Sequence, residues 1–422
     1  MGRLPTLAWL ALRNLGREFR RSALTAAAMA LGLALLIWSR SLADGAHEDW
    51  IDAGVRLGEG HVTFTASGYR DSKSLDDRLS AAQLEVALRA LGEVEFPDAF
   101  ATAPPLASVR VETRGLASSP DGALPVFIVG VQPSVEPGFS RLGEEVVDGR
   151  YLEEGDRLHA FIGASLAERL GVRTGSRMVL TAQSASGDIE GQLVRVVGTY
   201  RTGVQGLDES LVHILLATAR AWLGVEGATS VAVLLPNSTF TDPVRGELDS
   251  ATRPDGIQVV GWPESLPDLY AALQLDDGGD WAFHVILFII VALAILNAIF
   301  MSVLNRKREL GLLRALGLSG GETGLVVYIE GVLLTGASGI VGVALGMVIV
   351  FVFFRDGMDL SGLMPDDINF GGIAFDPVMV PVIQARHVVQ SVLLTATIGL
   401  AASLFPAWHA ARLDPAESVK VE

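Results

Sequence analysis

The chain has 422 residues, half of them hydrophobic and only 19% charged, with a mean hydropathy of +0.41. That composition excludes a disordered chain and is too apolar for an ordinary soluble enzyme. Its 48 acidic against 32 basic residues leave a net charge of −16, which argues against nucleic-acid binding, because phosphate recognition needs clustered positive charge. There is no cysteine, so disulfides, thiolate nucleophiles and thiolate metal sites are excluded. A very apolar chain with an acidic excess implies segregation, with some segments in lipid and the rest in a charged, water-facing domain.

In chain order, residues 1–22 form a basic segment carrying Arg3, Arg13, Arg17, Arg20 and Arg21. The run from Ala23 to Ser39 opens a first membrane span over 23–42. Ser41-Leu42-Ala43 offers a competing reading as a signal-peptide cleavage site, but Trp9, Leu10 and Leu12 make the basic region long and partly apolar. Further uncharged runs predict spans over 281–304, 323–354 (with Glu330 near its start) and 387–408. Arg306, Lys307, Arg308 and Arg314 crowd the 305–322 loop, whereas the 355–386 loop holds Asp356, Asp359, Asp366, Asp367 and Asp376. By the arginine and lysine bias, both termini (including the tail 409–422) and the 305–322 loop face the cytoplasm. The region 43–280 then lies outside.

Within that external region, Gly60–Ala66 alternates like a strand and Leu75–Leu91 reads as an amphipathic helix capped by Ser74 or Asp76. Strands are expected near Ala107–Val111 and Pro125–Val131. A second strand–helix–strand order follows at Ser230–Leu235, Thr241–Ala251 and Ile257–Val260. These two units predict one α+β subdomain built from about 58–135 and 225–265, with a mostly β insertion at about 140–223. No catalytic, cofactor or metal residue is assigned. GxxxxGK[ST] and HExxH are both absent. His61 and His213 fall in strand-like runs and read as structural. The acids Glu153-Glu154-Asp156 and Asp276-Asp277-Asp280 lack EF-hand spacing and read as solvated loops.

The 305–322 loop is the informative one. Leu310, Leu313 and Leu316 recur at i, i+3 and i+6 among cations, which predicts a short helix at the membrane face. Gly317 ends it, and Ser319-x-x-Glu322 forms a capping box that starts the next helix. The residues alone leave two readings open, a basic anchor on anionic lipid and a docking element for a partner.

The run MSVLNRKRELGLLRALGLSGGETGLVVYIEG resembles the corresponding region of MacB/FtsX-like ABC transporter permeases, including the lipoprotein-releasing (Lol-type) branch. LAWLALRNLGREFRRSALTAAAMALGLALL is similar to that family's first helix. IGASLAERLGVRTGSRMVL and VVGTYRTGVQGLDESLVHILLATARAWLG resemble its external domain, and LFPAWHAARLDPAESVK its close. GEGHVTFTASGY resembles the segment after the first helix in Lol-type chains. The resemblance implies an α-helical membrane protein with four transmembrane helices and a large α+β periplasmic domain between helices 1 and 2. It would be a non-enzymatic permease subunit of the cell inner membrane, binding no cofactor itself.

ATP and magnesium would sit on a partner ATPase dimer, docked on the coupling helix through Glu309, Leu310, Leu313 and Arg314. A second permease copy or homologous permease would complete the transporter. Residues 43–57 and 266–280 would be helical stalks, and Gly339, Gly342 and Gly346 a stripe for close helix packing. Lipoprotein release from the outer leaflet to a periplasmic carrier, in contact with membrane lipids, is the first expected function. Mechanotransmission or efflux of peptides or toxins is the alternative within the family. A membrane-anchored external enzyme or sensor is the alternative of another class.

Overall fold

A computed structural model describes residues 4–17, 19–94, 105–359, 361, 369–370, 373–374 and 378–413. The chain divides into two compact units. One comprises Met1–His47, Leu275–Leu360 and Val378–Glu422; the other comprises Glu48–Gln274 and Ser361–Pro377. The chain opens with α1 (Leu4–Arg17) and α2 (Phe19–Gly54), then a π-helical turn (Val55–Glu59). At a rise of 1.5 Å per residue, the 36 residues of α2 reach about 54 Å, against roughly 30 Å for a hydrocarbon core.

The β-rich unit follows as β1 (Val62–Ala66), α3 (Tyr69–Ser72), α4 (Ala81–Glu93), β2 (Leu106–Ser119), β3 (Gly122–Val131) and α5 (Glu136–Phe139). Next come β4 (Val146–Gly149), β5 (His159–Gly163), α6 (Ala164–Arg169), β6 (Arg177–Gln183), β7 (Ile189–Tyr200), α7 (Gln205–Ser210) and β8 (Leu211–Leu215). It finishes with α8 (Leu216–Leu223), β9 (Ser230–Leu234), α9 (Thr241–Thr252), β10 (Ile257–Gly261) and α10 (Trp262–Ser265).

The strands make one sheet in the order β10-β1-β9-β2-β3-β8-β5-β7-β4, with β6 pairing β2 and β7. β1 lies between β9 and β10, so Val62 faces Val233 on one side and Gly261 on the other. The stretch from 140 to 223 is not a separate sheet. β2 is 14 residues long and changes neighbour along its length: Leu106–Arg110 pair with β9, and Gly115–Ser118 pair with β6. Val62, Phe64, Val111, Ile128, Ile162, Leu180, Val212 and Val231 join in one core that spans both halves.

Two local expectations change. The helix expected from Leu75 begins at Ala81, because Ser80 and Gln83 close a reciprocal capping box; Leu75–Asp77 is a single 3₁₀ turn. Asp156, expected to be solvated, is buried and accepts from Arg150 Nη1 (2.6 Å), Arg150 Nη2 (3.0 Å) and the Glu153 amide (2.9 Å). The Arg150 contact holds its carboxyl below the usual range.

The chain then forms α11 (Pro267–Asn305), α12 (Lys307–Ala315), α13 (Gly320–Val348) and a second π-turn (Ile349–Phe353). Four two-residue strands follow, β11 (Met358–Asp359), β12 (Asn369–Phe370), β13 (Ile373–Ala374) and β14 (Val378–Met379), and then α14 (Ala385–Ala411). Four helices are long and apolar enough to cross a membrane. α13 starts at the Ser319/Glu322 capping box, with the Glu322 amide donating to Ser319 Oγ at 3.2 Å.

A side chain at Gly342 or Gly346 would press on Leu33 or Ile37 of α2, while Gly339 faces open space. Closer approaches occur at Gly324 and Gly331, which lie against Ala407 and Ser403 of α14. The loop expected over 355–386, the tail over 409–422 and the basic segment over 1–22 lie partly outside the described residues.

Burial holds His61 down at about 4 and His213 at about 3. Depressed histidines contribute stability that is present above their unfolded value of about 6.5 and lost as pH falls toward those folded values. Glu59, held up at about 7 by burial and Glu112, acts in the opposite sense, so the histidine part is isolated by substitution. The urea midpoint of the β-rich unit, followed by Trp222 and Trp262 fluorescence, should therefore respond differently to acid in a His61→Gln/His213→Gln variant. Between about pH 7 and pH 5 the wild-type midpoint should fall more steeply, corresponding to a loss of unfolding free energy of up to about 1.4 kcal/mol per pH unit per histidine; parallel curves would refute the assignment.

Candidate functional site

Glu330 is the one charged residue in the body of α13, whose other charge, Glu322, caps its first turn. Its carboxylate accepts from Arg306 Nη1 at 3.0 Å on both oxygens and from Asn14 Nδ2 at 2.8 Å. Arg306, between α11 and α12, is itself buried and also reaches Glu309 at 3.4 Å. Arg17 of α1 lies 3.7 Å from Glu309. One polar node thus ties α1, the α11–α12 corner and α13 together at one end of an apolar bundle. An unpaired charge at such a depth is expensive, and pairing with full hydrogen bonding is what makes it tolerable.

α12 is held down by Leu310, which is buried among Val303, Val327, Ala407 and Leu413. Leu310 therefore does not offer itself to a partner, and this part of the expected contact set moves. Steps of three residues drift about 60° around a helix, so Leu310 is buried, Leu313 half-buried and Leu316 exposed. Leu312 and Leu316 form the outward apolar pair, beside exposed Glu309 and half-buried Arg314.

A second node lies toward the other end of the same unit. Arg40 of α2 donates to Asp280 of α11 at 2.6 Å and lies 3.6 Å from Asp44 and 3.7 Å from Asp277. His387 of α14 contacts Asp44 at 2.5 Å, His284 lies 3.2 Å from Asp280, and His47 meets Asp276 at 2.8 Å. The acids at 276, 277 and 280, expected as a solvated loop, are helical and paired, because the i, i+4 spacing puts 276 and 280 on one face. Beside this node is a cavity of about 770 Å³ with a charged rim of Arg40, Asp277 and Asp280 over Phe288, Ala292 and Leu394. Among the described residues, no three His, Asp or Glu side chains are grouped to hold a metal.

The sequence matches known families. Residues 22–251 match the MacB-like periplasmic core domain, and residues 281–415 match the FtsX-like permease C-terminal family. The chain belongs to the MacB/FtsX-like ABC transporter permeases. This permease is 25% identical to the lipoprotein-releasing system transmembrane protein LolC of Xylella fastidiosa strain Temecula1, over 71% of its own length and 73% of the relative's. LolC of Neisseria meningitidis serogroup B is 22% identical over 69% and 72% of the two chains. The uncharacterised ABC transporter permease YknZ of Bacillus subtilis is 22% identical over 56% of each. The extracellular domain of the noncanonic ABC-type transporter YknZ from Gram-positive bacteria aligns with a TM-score of 0.33 at 16% identity, covering 47% of this chain and 98% of that one.

The fold class is therefore four transmembrane helices with a large periplasmic-type domain after the first, in a multi-pass membrane protein, and membership implies a partner ATPase. Sequence reasoning noticed Glu330 but gave it no role. An acid inside an apolar run was the available signal. Asp44 and His387 are 343 positions apart and left none.

Replacing Glu330 with Leu leaves buried Arg306 with only its longer contact to half-exposed Glu309 and should cost up to about 3–5 kcal/mol, read as a lower melting temperature in detergent micelles. Adding Arg306→Met should recover most of that loss. If the single variant melts like wild type, the node carries no such load.

Proposed function

We propose that this permease transmits the closure of a separate cytoplasmic ATPase dimer, which binds ATP and magnesium, to its periplasmic domain, and so releases lipoproteins from the outer leaflet of the inner membrane. It makes and breaks no covalent bond itself, and it works with a second copy or a homologous permease. The observation that carries this reading is α12, which presents Leu312, Leu316 and Glu309 outward while Arg306 is bound to Glu330 inside the bundle. A push on that surface is passed to α1, α11 and α13 rather than absorbed by a mobile loop. The LolC relatives support lipoproteins as cargo. So does the 770 Å³ cavity, whose apolar wall and charged rim suit an acyl chain and its polar linkage. In this reading both termini and α12 are cytoplasmic, and the domain between α2 and α11 is periplasmic.

Three measurements test it. An impermeant thiol reagent applied from outside should label Ser186→Cys and spare Ser319→Cys, both positions being exposed; the reverse would overturn the topology. Leu312→Asp with Leu316→Asp should abolish co-purification of the ATPase while the variant still inserts in the membrane. In proteoliposomes containing the ATPase, a lipid-anchored protein in the outer leaflet should pass to a soluble carrier only with ATP, and Ala292→Trp, which fills the cavity, should slow that transfer several-fold. Export of an inner-side peptide without such release would favour the efflux alternative.

A further inference from the structure

The β-rich domain holds a second cavity of about 440 Å³ that the transmission of force does not use. Phe127, Val129, Leu207 and Leu266 give it an apolar wall, and its size suits a small molecule. Its polar groups are unevenly satisfied. Arg110 is buried and donates through Nη2 to Glu136 at 2.6 Å and through Nε to Ser108 at 3.2 Å, over the ring of Phe139. Its charge is therefore matched within the protein. Glu112 accepts from Ser230 at 3.1 Å.

His213 and Glu59 differ. His213, 1% exposed, meets the Tyr151 hydroxyl at 3.0 Å through Nδ1, while Nε2 is buried with no partner among the described residues. Burial keeps Tyr151 neutral; with its O–H donating to Nδ1, the tautomer assigned here, the ring proton sits on Nε2. Glu59 sits at the end of the π-turn, outside the bilayer-crossing stretch 23–42. No donor among the described residues reaches its carboxylate. The turn itself is specialised. Gly58 has φ +142, and a side chain there would collide with Arg110.

The cavity thus combines acids at Glu59, Glu112 and Asp268 with one neutralised arginine, an unused N–H donor and an apolar wall. Lys73, Arg110 and Arg70 act on Glu59 from a distance but are outweighed by burial and Glu112, so an anion would meet a net acidic lining. A cation would relieve the repulsion between Glu59 and Glu112 that, with burial, keeps Glu59 near neutrality. We infer that this cavity binds a small amphipathic cation: a protonated primary amine paired with Glu59, with a neighbouring oxygen accepting from His213 Nε2 and an apolar arm against Phe127 and Leu207. The inference does not depend on which cargo the permease serves.

Calorimetric titration of the full-length protein in detergent micelles, against empty micelles, tests it with leucinol as the probe. Leucinol should bind saturably in the millimolar range or tighter. Isohexanol, which lacks the amine, should bind at least about tenfold more weakly, a difference of roughly 1.4 kcal/mol. Glu59→Gln should impose a similar loss on leucinol at an unchanged melting temperature. His213→Phe should weaken leucinol but not isopentylamine, which has no oxygen to offer. Wild-type affinity should rise between about pH 6 and pH 8 as Glu59 ionises, and stay flat in Glu59→Gln. Equal binding of leucinol and isohexanol, or no saturable binding of leucinol, would overturn the proposal even if the Glu59 variant fails to fold.

Discussion

A carboxylate one-third of the way along a helix that is uncharged beyond its first turn has few places to go. Glu330 cannot reach water without dragging α13 with it, so Arg306 and Asn14 must stay beside it whenever it is ionised. This requirement fixes the α11–α12 corner against the bundle, and with it the short helix that follows. Leu310 adds an apolar tether one turn later. The result is a surface element that is exposed on one side and immobilised on the other, which is the mechanical condition for passing on a displacement.

The second polar node applies the same logic to a different set of helices. Arg40 gathers Asp44, Asp277 and Asp280, and the histidines at 47, 284 and 387 bring α2, α11 and α14 into the same network. Between the nodes, contact depends on small residues: Gly342 and Gly346 let α2 approach α13, and Gly331 lets α14 do so. Such packing resists separation of the helices and favours their moving as a body. The bundle is therefore pinned by polar groups at two levels and close-packed between them.

Much of this was legible from the residues. Uncharged runs mark the four long helices, and the Ser319-x-x-Glu322 pattern marks the start of α13 because a capping box is local chemistry. The order β9–α9–β10 follows from alternation and length. What stayed hidden was tertiary. The apolar stripe on α12 did not reveal which leucine faces the bundle, because three-residue steps spiral around the helix axis. Ser74 and Asp76 were the expected caps, and the reciprocal contact of Ser80 with Gln83 that starts the helix instead was not anticipated. The change of partner along β2 depends on two distant strands and leaves no periodic trace. The histidines at 61 and 213 read as structural, and the structure buries both; that one of them also borders a cavity was beyond any local pattern.

The pairing of β1 with β10 has a topological consequence. Val62 and Gly261 are direct partners, so a chain excursion of some two hundred residues leaves and returns through adjacent strands. The entropy of closing so long a loop is met inside the folded domain and not by the membrane helices that flank it. A domain whose entrance and exit coincide can be exchanged for a larger, smaller or unrelated one without rebuilding its support. In this chain the membrane helices and the β-rich domain are thus joined by a fold that closes on itself.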